Sequence, residues 1–214
     1  MMPPYNELSF YLQFTINITL LTGFALFLRR GKQARKLLFI FLLGELISEL
    51  SDLIFRLMKY NTVNIYLYPL SQSFCLLMMT EIYHTYFLKI PPSVRWMVYL
   101  FTGMSFFISV TGSEIASSVT FYSNIITDVI ICSFAAVYFL YLFKNPGVDK
   151  NLLTVNIFIF LFFSIESIIS TTFNFLIHEH LQWVAPVWLF RGVMLWFFYL
   201  AFINLGWNTG RMKV

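Results

Sequence analysis

Long apolar runs, broken by short polar segments, set the pattern of this chain. Seven runs lie at about 8–28, 37–58, 66–88, 96–112, 119–143, 152–177 and 183–206. Each approaches or exceeds the ~20 residues that a helix needs to cross a hydrocarbon core. The runs are continuous and lack the alternation of a half-buried strand, so they predict helices. In lipid a helix satisfies its own backbone, which favours the same choice. The expected fold is all-α: a polytopic membrane protein, one domain over 1–214, built as a seven-transmembrane-helix bundle.

Composition sharpens this picture. The hydrophobic fraction is 59%, mean hydropathy is +0.75 and only 11% of residues are charged, against ~25% in soluble domains. A water-soluble globule, a disordered chain and a nucleic-acid binder are excluded, and the lipid bilayer becomes the first expected partner.

The few charges orient the bundle. Arg29, Arg30, Lys32, Arg35 and Lys36 follow run 1; Lys89 and Arg95 follow run 3; Lys144 and Lys150 follow run 5; Arg211 and Lys213 close the chain. The opposite loops hold Lys59 with Glu114 and Glu179, and the first ten residues hold an acid and no base. Positive charge collects on the cytoplasmic side. The N-terminus is therefore expected outside and the C-terminus in the cytoplasm. Run 1 lacks a basic leading region and a small-residue cleavage site, so it is expected to remain as an anchor. Trp96, Trp183 and Trp207 fall at run ends, as an interfacial belt requires.

No loop exceeds about ten residues, so chemistry is expected inside the bundle, at its rims or through a partner chain. Run 2 contains FIFLLGELISEL from Phe39, and run 6 contains FIFLFFSIESII from Phe158. Pro69 and Pro186 follow 30 and 28 residues later. Runs 1–3 and 5–7 are thereby candidates for parallel repeats joined by run 4, an arrangement known among transporters. Both prolines are expected at helix starts, where a missing N–H costs nothing.

Ionisable residues within spans cost ~3 kcal/mol each at mid-helix, and they mark functional sites. The runs hold Glu45, Glu49, Asp52, Glu81, Asp128 and Glu166, with Arg56, Arg191 and His84. So many carboxylates must be protonated, paired or wet. Glu45, Glu49, Asp52 and Arg56 are spaced 4, 3 and 4. They form one stripe on helix 2, which must face the interior or water. Glu49 and Asp52 are close enough in sequence to share a proton, and Asp52 with Arg56 has the spacing of an internal ion pair.

Depth, counted at ~1.5 Å per residue, puts Asp52, Arg56, Asp128, Glu166 and Arg191 in one outer-half cluster. It puts Glu45, Glu81 and His84 in the inner half, with Glu81 and His84 three apart on one face. A buried arginine is best held by a carboxylate fork, so Arg191 is expected to pair with Glu166 or Asp52. Gln72 is a candidate lining residue of an outer pocket, and Tyr68 a belt residue. Ser164, Ser167, Ser170, Thr171 and Asn174 read mainly as helix glue. Cys75 and Cys132 read as packing residues. His178 and His180 are too few for a metal site, which needs three or four ligands, and no metal is expected.

Seven spans with an outer N-terminus resemble microbial rhodopsins in outline. Retinal needs a lysine in the seventh span, and Lys32, Lys36, Lys59, Lys89, Lys144, Lys150 and Lys213 all lie outside the spans; no retinal and no other cofactor is expected. The 3+1+3 order resembles SWEET-type sugar transporters, but there is no Pro-Gln motif. The His and Asp ligand sets of ceramidase-like hydrolases are missing too. In span count, short loops and acidic span 2, the whole chain resembles small seven-helix bacterial inner-membrane proteins and the seven-span input regions of sensor kinases.

That resemblance implies a bundle in the bacterial cytoplasmic membrane that senses something and speaks to a separate cytoplasmic or membrane partner. No nucleophile–base pair stands out, so a non-enzymatic sensory or ligand-binding role is expected. A small polar or charged ligand would enter from outside, with the span 2 acids coupling toward Glu81 and His84. The alternative is a small-solute or proton-coupled transporter using the same stripe as its path.

Overall fold

The computed structural model describes residues 4–30, 36–58, 64–111, 114–145 and 150–209. Lys32, Arg35, Lys59, Arg211 and Lys213, part of the charge pattern above, lie outside them. The described residues are almost entirely helical: α1 (Pro4–Arg30), α2 (Lys36–Leu57), α3 (Asn64–Ile82) continued by a π-helical turn (Tyr83–Phe87), α4 (Pro92–Ser109), α5 (Glu114–Lys144), α6 (Lys150–Glu179) and α7 (Leu181–Thr209).

Each expected run falls on one helix, with ends shifted by a few residues. α4 starts at Pro92, four residues earlier than its run, because Ile90-Pro91-Pro92 forces the break. A residue before proline is pushed out of the α region; Pro91 is extended and Pro92 sits in the first helical turn, where its missing N–H is harmless. The other prolines correct an expectation. α3 begins at Asn64 and α7 at Leu181, so Pro69 and Pro186 lie inside their helices. Each removes one i→i−4 bond at the same position of its helix.

Among the described residues, four helical segments are long and apolar enough to cross a membrane: Glu7–Arg29, Ser118–Lys144, Lys150–Thr172 and Leu181–Trp207. The chain is accordingly a helical membrane protein. α2 falls short because Glu45, Glu49 and Asp52 interrupt its apolar run, and α3 and α4, at 19 and 18 residues, because residues such as Gln72, Glu81 and Arg95 lower their hydropathy.

Chain neighbours pack on one another, and α1 also packs on α7 and α3 on α5. Six helices thus close a ring, α1–α2–α3–α5–α6–α7. α4 lies outside it, against α3 and α5. The α1–α7 seam closes through small residues. Ile203 sits over Gly23, Leu12 over Gly192 and the Phe27 ring over Gly206. Lipid supplies no hydrophobic drive between helices, so close backbone approach and polar bonds hold such seams. Trp196 Nε1 donates to Thr19 Oγ1 at 2.9 Å across this one.

Inside the ring, Phe198 of α7 packs with Phe162 at 5.1 Å, Phe202 at 4.9 Å and Phe41 of α2 at 6.1 Å between ring centroids. Nearer the π-helical turn, buried Tyr83 donates to Asn156 Oδ1 at 2.7 Å, and Asn156 Nδ2 donates to the Ala135 carbonyl at 3.1 Å. One amide thereby ties α3, α5 and α6.

The seam generates a prediction. A methyl group at Gly206 meets the buried Phe27 ring, whereas one at Gly103 meets nothing within 4 Å. Gly206→Ala should cost about 1–3 kcal/mol, as overpacking does, and lower the melting temperature in detergent. Gly103→Ala should leave it unchanged or slightly raised. Equal melting of the two variants would contradict the packing described for this seam.

Candidate functional site

Five helices line a half-open cavity of about 130 Å³ with polar groups on part of its wall. Each contributes one face, at helical spacing. α2 gives Glu45 and Glu49. α3 gives Tyr68, Ser71, Gln72 and Cys75. α5 gives Asn124, Thr127 and Asp128. α6 gives Phe162, Phe163 and Glu166. α7 gives Arg191, Leu195, Phe198 and Tyr199. The phenylalanines and Leu195 form an apolar part of the wall and the remaining groups a polar one.

The dominant interaction is a fork. Arg191 Nε donates to Glu166 Oε2 at 2.6 Å, and its Nη2 donates to Oε1 at 2.9 Å. The two side chains are only 22% and 13% exposed, and the guanidinium also lies over the Trp188 ring, 4.9 Å from its centroid. Two parallel charge-assisted bonds fix direction as well as charge. Elsewhere on the wall, Tyr199 donates to Glu45 Oε2 at 2.7 Å, Asn124 Nδ2 to the Tyr68 hydroxyl at 2.6 Å, and Gln72 Nε2 to Thr127 Oγ1 at 3.2 Å. Two buried carboxylate oxygens have no hydrogen-bond partner: Glu45 Oε1 and Asp128 Oδ2.

The structure brings Glu49, Asp128, Glu166 and Arg191 together on this cavity, and it separates other expected site residues. Glu45, assigned to the inner half, lines the same cavity. One helical turn rises only ~5.4 Å, so the residue a turn from Glu49 still reaches the common space. Asp52 and Arg56 do not line it. Asp52 Oδ2 accepts from Arg56 Nη2 at 3.0 Å and from Gln13 Nε2 of α1 at 2.7 Å, so this end of the acidic stripe ties α2 to α1.

Glu81 and His84 do not share a setting, despite their spacing. Glu81 accepts from Arg95 Nη2 of α4 at 2.6 Å and from the Tyr99 hydroxyl. His84 lies past the start of the π-helical turn, which departs from the 3.6-residue period. It lines a separate pocket of about 650 Å³ with Leu88, Lys89, Phe134 and Tyr141 among others. Neither residue lines the polar cavity, so no coupling path from the α2 stripe to them is seen.

Sequence reading passed over Asn124, Thr127 and Tyr199. Asn124 stands i−4 to Asp128, a spacing that marks it as a face-mate, and Thr127 follows Asn124 by three. Tyr199 sits in an aromatic-rich segment and carries no such signal. Tyr68, expected in the belt, and Cys75, expected as packing, both line the cavity. In the serine and threonine stripe of α6, Ser164 meets Cys132 across 3.5 Å, while Thr171 bonds back to the Ser167 and Ile168 carbonyls. Among the described residues, no three His, Cys, Asp or Glu side chains converge to hold a metal ion.

Comparison with protein-family models, with curated proteins and with solved structures returned no match.

The fork sets an energetic expectation. Removing one partner of a fully buried pair strands the other charge at a cost of about 3–5 kcal/mol, and this part-buried fork should lose somewhat less. Arg191→Ala should therefore lower the melting temperature strongly. The double variant Arg191→Ala with Glu166→Gln should recover much of the loss, because no charge remains stranded. A double-mutant cycle by thermal unfolding in detergent measures the coupling, and strictly additive losses would show the two residues to be independent.

Proposed function

We propose that this chain is a non-enzymatic ligand-binding bundle that spans the membrane seven times and passes the state of its cavity to a separate protein partner. The seven-span reading is supported by the faces of the less apolar helices. α2 turns Ile40, Ile47, Leu50 and Ile54 outward while Glu45 is buried. α4 turns Trp96, Met97, Leu100, Met104 and Phe107 outward. α3 with its π-helical turn runs for 24 residues, from 64 to 87, or ~36 Å at helical rise. A helix whose charges face its neighbours crosses lipid more readily than its mean hydropathy indicates.

The basic loops support an outer N-terminus and a cytoplasmic C-terminus, and the compact, short-looped architecture is the ground for placing the chain in a bacterial cytoplasmic membrane. The observation that carries the ligand reading is the cavity itself. Two of its lining residues, Glu45 and Asp128, each keep one carboxylate oxygen buried and without a protein partner. Buried polar groups are otherwise paired almost without exception. At about 130 Å³ the cavity is well below the ~300–1,000 Å³ of drug-sized sites, so its ligand is small.

One observation favours transport as a second reading. The lining comes from both triplets, α2 and α3 on one side and α5, α6 and α7 on the other. The third helix of each triplet carries a proline at the same place. Sites between repeats, beside interrupted helices, are a transporter arrangement.

Thermal unfolding of the purified protein with a panel of small ions and metabolites tests the ligand reading. A ligand at 100 times its Kd stabilises the folded state by ~2.7 kcal/mol. At least one member should raise the melting temperature of the wild type and lose that effect in Asp128→Asn. A panel without hits on a monodisperse sample, or a hit that Asp128→Asn leaves intact, would contradict it. Flux into liposomes separates transport from binding alone.

A further inference from the structure

The cavity has more acid than base on its wall, and its base is engaged. Glu45, Glu49, Asp128 and Glu166 line it, against Arg191. Arg191 gives its Nε–H and an Nη2–H to Glu166, and its Cζ lies 4.9 Å from the Trp188 ring centroid. An anion entering here would meet carboxylates and find the arginine already bound.

The unpartnered atoms point the same way. Glu45 and Asp128 are 7% and 5% exposed, and each keeps one oxygen, Oε1 and Oδ2, without a partner. An ionised carboxylate oxygen is an acceptor only, so each of these two atoms calls for a donor that the protein does not supply. The phenylalanine rings beside them offer π faces, which attract cations. Among the described residues, no three His, Cys, Asp or Glu side chains converge to hold a metal ion. The gap fits directional N–H donors on a compact cation.

We propose that the cavity is a binding site for a small protonated amine or ammonium ion, whose N–H groups donate to Glu45 Oε1 and Asp128 Oδ2. Arg191 and Glu166 act as a closed pair that positions the wall. This proposal rests on the reading of the cavity as a ligand site, and narrows it to a cation with N–H donors.

Equilibrium dialysis of radiolabelled methylammonium against the intact purified chain tests it. One saturable site per chain is expected, competed by ammonium and not by acetate, acetamide, sodium or choline, which carries no N–H. Glu45→Gln and Asp128→Asn should each weaken binding by about tenfold or more, the size of a lost charge-assisted bond. Asp52→Asn, on α2 but off the cavity, should leave it unchanged. If the cavity variants fail to elute as monodisperse protein, the competition series on the wild type decides.

Saturable binding of acetate or acetamide that Asp128→Asn abolishes would keep the ligand site and overturn the cation. Sodium as an equal competitor would overturn the N–H donor. Methylammonium binding indifferent to both cavity variants would put the cation elsewhere and overturn the proposal. Binding of none of these probes would overturn it and count against the ligand site as well.

Discussion

A charged fork in the interior, Arg191 on Glu166, is the interaction around which the polar half of this bundle is arranged. It joins α6 to α7 at a point where both side chains are largely withdrawn from solvent. A buried pair of this kind adds little net stability over an apolar replacement, but it is costly to break from one side. Its effect is therefore on geometry. Once the fork is fixed, the faces of α6 and α7 are fixed, and with them the places of Phe162, Leu195 and Tyr199 on the cavity wall. Tyr199 in turn holds one oxygen of Glu45, which sets α2 against α7.

The other charges are distributed by the same rule. Asp52 is held by Gln13 and Arg56, and Glu81 by Arg95 with Tyr99. Each of these pairs lies away from the cavity and joins two helices, or two turns of one. Among the described residues, Glu45 and Asp128 form no ion pair, and each leaves one buried oxygen unpaired. Polar groups left open in a dry interior are exceptions that call for a cause. A ligand is the cause proposed above, and it gives the aromatic wall and the acid excess a common purpose.

The helices were legible because a long apolar run without alternation favours a helix. Seven runs read from hydropathy each met a helix, and the Pro91-Pro92 pair marked the one sharp break. The Arg191–Glu166 fork was legible as one of two options, since few carboxylates stood at a matching depth. Depth counting then failed at Glu45, because a cavity longer than one turn ignores a boundary drawn between turns. Spacing failed at Glu81 and His84, because the π-helical turn after Ile82 changes the angle between residues three apart. The Gln13–Asp52 and Arg95–Glu81 bonds were not legible, as they depend on which helices become neighbours. Pro69 and Pro186 were placed at helix starts because hydropathy marks where lipid begins, and the helices extend beyond it.

The central claim is that the open oxygens of Glu45 and Asp128 face a site to be occupied. A crystal structure grown in lipid, refined with ordered waters visible and with methylammonium present, tests it most directly. The predicted result is an intact Arg191–Glu166 fork and a bound cation in hydrogen-bond contact with Glu45 Oε1 and Asp128 Oδ2. A cavity closed by the protein itself, with both oxygens bonded to side chains, would contradict it.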